Sequence, residues 1–157
     1  MSTAAVHADR FDALPAHLAE RWAGFGTWDE VYFPSLVGLV LEEVRTDYGR
    51  MRLPYRPDLR QPAGVVHGGA IATLIDTVVV PAVGGIYEER PRMLTISMSI
   101  RYLGALVGED AVGEGWVEQR GRSIVFCRAE VRSGSGAMVA DGTLVYKVST
   151  SGQVPAP

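Results

Sequence analysis

Residues 64–86 read Gly-Val-Val-His-Gly-Gly-Ala-Ile-Ala-Thr-Leu-Ile-Asp-Thr-Val-Val-Val-Pro-Ala-Val-Gly-Gly-Ile, and this stretch decides the fold. Its apolar residues recur at i, i+3, i+4, i+7, i+8 and i+11, the spacing of one helix face. They are Ile71, Leu74, Ile75, Val78, Val79 and Ala82. Gly84 and Gly85 supply a stop, and Pro81 is expected to kink the helix or mark its last turn. The pattern predicts one long helix that packs against a sheet.

Asp76 is the only charged residue between Arg60 and Glu88. Most helical aspartates lie on a solvated face, and that is the alternative interpretation here. The side chains around Asp76 are small and apolar, however, so this face does not read as open to water. The helix also begins with Gly68 and Gly69, whose bare N–H groups lie at the positive end of the helix dipole. Such an end can bind an anion or polarise a carbonyl oxygen.

The spacing of these groups constrains how they could act together. Gly68 and Asp76 are eight residues apart, which is roughly 12 Å along a helix axis. One helix therefore cannot bring both groups to the same reacting atom. Two such helices packed antiparallel across a two-fold axis can do so. If both groups take part in chemistry, the sequence predicts a dimer with two shared sites.

The motif His67-Gly68-Gly69 followed by Asp76, with strands downstream, resembles the hot-dog-fold acyl-CoA thioesterases of the phenylacetic-acid-degradation (PaaI) type. The resemblance implies that the Gly68 N–H polarises the thioester carbonyl. It also implies that Asp76 of the other subunit acts as general base or nucleophile. Thr95 matches a hydroxyl residue on the following strand, which helps to hold the water or the carboxylate. Catalytic roles are thereby expected for Gly68, Asp76 and Thr95.

Substrate binding is assigned to Gln61, His67 and Gly69. The family commonly has asparagine six residues before the histidine, where this chain has Gln61, which keeps the amide and adds a methylene. His67 has two interpretations, a contact to the substrate or a residue that caps and packs the helix. The histidine is not expected to be the acid–base group.

A chain of 157 residues is one domain of ordinary size. Residues 1–35 form an N-terminal extension, in which the first ten or so look like a tail and 11–24 read as a short amphipathic helix. The aromatic residues at 25–35 could form a lid over the sheet or a wall of an acyl pocket. The resemblance covers 36–148, the thioesterase domain, and 149–157 are expected to be a disordered tail.

Strand patterns lie on both sides of the long helix. They cover 37–45, 48–55, 93–103, 109–119, 123–132 and 137–148. One helix after two strands, followed by four antiparallel strands, predicts an α+β layer. The resemblance identifies this layer as the hot-dog fold, a curved antiparallel sheet wrapped around one long central helix, here with a short N-terminal helix.

Composition excludes several classes of function. The net charge is −3, so there is no basic excess for nucleic acid. The three histidines and Cys127 lack metal-ligand spacing, and neither a metal nor another cofactor is expected. No apolar run is long enough for a membrane span and no signal pattern begins the chain, which favours a cytoplasmic location.

The sequence therefore predicts an acyl-CoA thioesterase that acts on aryl or medium-chain acyl-CoA and self-associates as a homodimer or homotetramer. Two alternatives remain open. One is an enoyl-CoA hydratase or dehydratase of the same fold, which would use His67 and Asp76 for proton transfer at carbon. The other is a non-catalytic acyl-CoA-binding protein. The acyl group itself is not specified by the sequence.

Overall fold

The computed structural model describes residues 4–149, in which three α-helices and six strands are found. The helices are α1 (Ala16–Ala23), α2 (Phe33–Val37) and α3 (Gly68–Gly84). The strands are β1 (Val40–Arg45), β2 (Tyr48–Leu53), β3 (Arg92–Tyr102), β4 (Ala111–Arg120), β5 (Ile124–Ser133) and β6 (Met138–Ser149). The predicted long helix is α3, and its last turn begins at Pro81.

The six strands form one antiparallel sheet in the order β1-β2-β4-β5-β6-β3. Three hairpins, β1–β2, β4–β5 and β5–β6, join neighbouring strands. Strand β3 instead pairs with β6 and forms an edge of the sheet. The sheet curves around α3, and this confirms the predicted α+β architecture with one long central helix and a short N-terminal helix.

Glycines on the inner face of the sheet allow α3 to lie close to it. A Cβ atom at Gly49 would lie 2.6 Å from the Val78 carbonyl oxygen. One at Gly113 would lie 2.9 Å from Cγ of Leu74. Side chains at these positions would push the helix away, so the apolar stripe of α3 is buried directly against the strands.

The first described residues of the N-terminal extension are attached to the outer face of the sheet. The backbone N–H groups of Val6 and His7 donate to the Glu114 carboxylate at 2.8 and 2.9 Å, and Tyr48 Oη donates to it at 2.8 Å. The expectation of a tail up to about residue 10 is therefore wrong from Val6 onward. At the other end, the tail predicted at 149–157 lies outside the described residues, except for Ser149, which ends β6.

A helix that the sequence pattern did not reveal, α2, begins within the aromatic-rich stretch at 25–35. Pro34 stands in the first turn of α2, where proline is favoured, and Gly38 ends the helix with a φ of 87°. As a consequence the first strand begins at Val40 rather than at Val37, and the expected domain boundary at residue 36 falls inside α2.

Candidate active site

The N-terminus of α3 is capped by His67. Its Nδ1 atom accepts a hydrogen bond from the Gly69 N–H at 2.8 Å, while its carbonyl oxygen accepts from the Ala70 N–H at 2.9 Å. Within residues 4–149, the Gly68 N–H has no hydrogen-bond partner. Of the two glycine amides at this helix end, only that of Gly68 is therefore available to a ligand.

The carboxylate of Asp76 is held by two hydroxyl groups. Thr95 Oγ1 donates to Asp76 Oδ1 at 2.9 Å, and Tyr146 Oη lies 2.6 Å from the same oxygen and 2.7 Å from the Asp76 carbonyl oxygen. Asp76 Oδ2 forms no hydrogen bond within the described part of the chain. The side chain is half-buried, so this is an oriented carboxylate with one oxygen free to act on a ligand.

Tyr146 is a site residue that the sequence analysis missed. It lies on β6 and is buried, and burial together with the bond to Asp76 raises the pKa of its hydroxyl far above the usual range. The hydroxyl therefore stays protonated at neutral pH and can donate to the carboxylate. On β6 it shares the inward face of the strand with Leu144 and Val148, which lie two residues before and after it. A buried tyrosine needs a hydrogen-bond partner for its hydroxyl. The position of Tyr146 among the inward residues of the strand pattern was therefore the sequence signal that could have identified it.

The residues assigned to substrate binding lie at the other end of α3. His67 and Gly69 line an open cavity of about 350 Å³, together with Leu59 and Thr73. Gln61 lies in the preceding loop, where its backbone N–H donates to the Val65 carbonyl at 2.9 Å. Among the described residues, no hydrogen bond joins the Gln61 side chain to Asp76 or Thr95.

Within one chain, the predicted site residues therefore form two separate groups. Tyr102 Oη donates to the Gly68 carbonyl at 3.0 Å, so Gly68 lies beside the end of β3. Asp76 lies beside Thr95, close to the beginning of the same strand. The structure brings together Asp76, Thr95 and Tyr146, and it places Gly68 with His67 and Gly69.

Comparison of the sequence with models of known protein families identifies the family of this chain. A family model described as the thioesterase superfamily matches residues 63–140, about half of the chain, from just before α3 to the first residues of β6. This chain belongs to the thioesterase superfamily. The superfamily segment contains Gly68, Asp76 and Thr95, whereas Tyr146 lies beyond its end. A search of curated proteins gives no match.

Solved structures place this thioesterase-superfamily chain in the hot-dog fold. A conserved Pseudomonas aeruginosa protein is 28% identical with a TM-score of 0.72, covering 76% of this chain and 95% of its own. The E. coli PaaI protein from the phenylacetic acid degradation operon is 14% identical with a TM-score of 0.75, covering 86% and 96%. A thioesterase family protein from Silicibacter pomeroyi is 19% identical with a TM-score of 0.75, covering 83% and 98%. The predicted fold is confirmed.

Strand β3 of this superfamily member has an unpaired edge next to the site. It is 11 residues long, and within residues 4–149 it pairs only with β6. Its large apolar side chains are exposed, with Leu94 at 58%, Ile96 at 56% and Met98 at 40%. A long apolar edge strand is a template for pairing with another chain, and proteins rarely leave one uncovered.

The described residues provide neither a metal site nor a reactive cysteine. No three His, Cys, Asp or Glu side chains within residues 4–149 are grouped so that they could hold a metal ion. Burial raises the pKa of the Cys127 thiol to about 12, so this buried cysteine stays protonated and unreactive.

No helix in the described region is long and apolar enough to cross a membrane.

Proposed function

We propose that this protein hydrolyses acyl-CoA thioesters, with aryl or medium-chain acyl groups, to the free acid and CoA. The observation that carries the proposal is the Asp76 carboxylate. Two hydroxyl groups hold its Oδ1 and leave Oδ2 free to act on a water molecule or on a carbonyl carbon. Membership of the thioesterase superfamily supports a thioester as the substrate.

A homodimer is proposed as the unit that completes the site. Two copies of β3 can pair antiparallel about a two-fold axis midway between Thr95 and Tyr102, at Met98–Ser99. Thr95 of one protomer then faces Tyr102 of its partner. Because Asp76 lies beside Thr95 and Gly68 beside Tyr102, each site receives Asp76 from one protomer and Gly68 from the other. Two such dimers associating again would form a homotetramer with the same sites.

The proposed reaction begins with the thioester carbonyl oxygen at the Gly68 N–H. That donor and the α3 dipole stabilise the negative charge that develops on the oxygen. Asp76 Oδ2 of the partner takes a proton from water as the water oxygen bonds to the carbonyl carbon. The C–S bond then breaks, and the proton held by Asp76 passes to the departing CoA sulfur. In the variant of this route in which Asp76 attacks directly, water hydrolyses the resulting anhydride.

The dimer can be tested with Met98→Lys. This substitution is expected to give monomers at micromolar concentration and to abolish most turnover, because it places like charges near the proposed axis and removes apolar contact. Light scattering after size exclusion measures the first effect, and release of CoA thiol measures the second. Val6→Lys is the control, since Val6 is also exposed (53%) but lies on the N-terminal segment. A monomeric Met98→Lys variant with full turnover would contradict a shared site.

Tyr146 is proposed to position the catalytic carboxylate. Tyr146→Phe is expected to lower kcat about tenfold or more, since a hydrogen bond to a charged group contributes roughly 1.5–3 kcal/mol. Tyr48→Phe is a matched control, because Tyr48 Oη also donates to a carboxylate in a buried position but on the outer face of the sheet. Both variants should lose stability in urea, and only Tyr146→Phe should lose kcat. Equal kcat in the two variants would leave Tyr146 without a role in the reaction.

The function itself is tested by thiol release from a panel of aryl and alkyl acyl-CoA thioesters. Turnover on at least one thioester, with no hydration of an enoyl-CoA, is the expected result. Hydration of the enoyl-CoA without thiol release would identify a hydratase instead. Tight binding of acyl-CoA without either reaction would identify a binding protein.

A further inference from the structure

Tyr102 ends β3 beside the N-terminus of α3. Its Oη atom donates to the Gly68 carbonyl oxygen at 3.0 Å. Its ring lies against the same residue, since a Cβ atom at Gly68 would be 3.3 Å from Tyr102 Cε1. More than half of the side chain, 53%, is exposed in a single chain. None of the proposed catalytic steps involves this side chain, although it contacts the residue that carries the free amide.

Two hydrogen bonds fix the plane of the peptide group between Gly68 and Gly69. Tyr102 Oη holds the carbonyl oxygen of this group, and His67 Nδ1 accepts from its N–H at 2.8 Å. The preceding peptide group is held through the His67 carbonyl oxygen, which accepts from the Ala70 N–H at 2.9 Å. The free Gly68 N–H belongs to that preceding group. Only φ and ψ of Gly68 join the two planes, so a shift of one plane lets the other turn.

Bonds from outside the helix are needed at this point because glycine supplies no restraint of its own. Gly68 and Gly69 have no side chains that restrict φ and ψ, and N–H groups in the first turn of a helix lack intrahelical partners. An oxyanion donor must lie about 2.7–3.1 Å from the developing oxyanion, and small displacements cost much of its effect. The hydroxyl that bonds to Gly68 therefore adds rigidity where the direction of an N–H group matters most.

In the proposed dimer the same tyrosine lies next to the partner's half of the site. Thr95 lies opposite Tyr146, which is buried on the inner face of β6. Tyr102 lies opposite Ala140, which is also buried on that face. Thr95 and Tyr102 therefore point to the same side of β3, because the register shifts just after Thr95. Directly opposed residues of antiparallel strands have Cβ atoms about 4.5–5.5 Å apart, so the partner subunit's Thr95 would cover the Tyr102 ring.

We propose that Tyr102 is a positioning residue, which fixes the Gly68 N–H in the direction that the thioester carbonyl oxygen requires. Its hydroxyl acts through the Gly68 backbone and not on the substrate. Its ring joins the donor of one protomer to the residue that holds the catalytic carboxylate of the other. The inference rests on the proposed thioesterase function.

Tyr102→Phe removes the hydroxyl group and keeps the ring. It is expected to lower kcat about three- to tenfold, as for loss of one hydrogen bond, while KM changes less than about twofold because the donor acts mainly on the transition state. Tyr87→Phe is the matched control, since Tyr87 Oη accepts from Arg120 Nη1 at 3.3 Å near the other end of α3. Size exclusion should give the same oligomeric state for wild type and both variants. An unchanged kcat in Tyr102→Phe would overturn the proposal.

A double substitution shows whether the hydroxyl acts through the Gly68 N–H. Gly68→Pro removes that N–H and keeps the carbonyl oxygen at position 68. Adding Tyr102→Phe to Gly68→Pro should lower kcat by less than about twofold, since no donor remains to be positioned. A further loss by the same factor as in the wild-type background would mean that Tyr102 acts elsewhere, and the proposal would be wrong.

Failure of this inference differs from failure of the proposed function. If wild type releases no thiol from any thioester, the proposed function fails, and backbone nitrogen relaxation measured by NMR then tests the positioning alone. In Tyr102→Phe the order parameter of the Gly68 amide should fall from the rigid range, about 0.85, toward the flexible range, below about 0.6. It should stay unchanged in Tyr87→Phe. An unchanged order parameter in Tyr102→Phe would overturn the positioning role whether or not the protein is a thioesterase.

Discussion

Replacing Gly68 by proline is expected to lower kcat on an acyl-CoA thioester by about 10²–10³-fold, the usual cost of removing one oxyanion donor. Proline has no backbone N–H, so the substitution deletes the proposed donor itself. The backbone at this position suits proline. Gly68 is the first residue of α3, where proline is favoured, and the preceding His67 has a φ of −63° and a ψ of 135°, which proline tolerates in its predecessor.

Gly68→Ala is the control that isolates the N–H group. Both substitutions add a Cβ atom at the same place, 3.3 Å from Cε1 of Tyr102, and only proline removes the donor. The alanine variant should retain most of kcat, and both should unfold at similar urea concentrations. Equal losses of kcat in the two variants would mean that crowding against Tyr102, and not the missing donor, explains the effect.

Local signals in the sequence were sufficient to predict the central helix but not the role of the residue that caps it. The apolar stripe from Ile71 to Ala82 predicted α3 because helical periodicity depends only on neighbouring residues. The two interpretations of His67 could not be separated without coordinates, since capping depends on its χ angles. The bond from the Gly69 N–H to His67 Nδ1 establishes capping and leaves Gly68 as the free amide.

Long-range pairing limited what else the sequence could predict. Strand β3 pairs with β6, over 40 residues later for some partners, and no local pattern encodes that choice. The partner of Asp76 on β6, Tyr146, was missed for this reason. Glu114 was missed as an anchor for the N-terminal segment because an outward-facing strand carboxylate normally reads as solvated, whereas here Val6 and His7 cover it.

Asp76→Asn is expected to lower kcat by about 10²-fold or more, the contribution of a general base. The variant should fold, because the asparagine carbonyl oxygen can still accept from Thr95 and Tyr146. Its amide nitrogen replaces Oδ2 and can neither take a proton from water nor attack carbon. Thiol release under saturating substrate measures the effect. Glu118→Gln, which neutralises an exposed carboxylate on β4, should retain full kcat.

Mixing two inactive variants tests whether Asp76 and Gly68 act across the dimer. A heterodimer combines one Asp76→Asn chain with one Gly68→Pro chain. If the sites are shared between chains, one of its two sites carries both substitutions and the other carries neither. Refolding the two chains together should therefore restore about a quarter of wild-type turnover, since half the dimers are mixed and each has one good site. If Asp76 and Gly68 of the same chain formed each site, every site would carry one substitution and no turnover would return. The recovered activity therefore tests whether each site combines Gly68 of one chain with Asp76 of the other, as their separation along α3 requires.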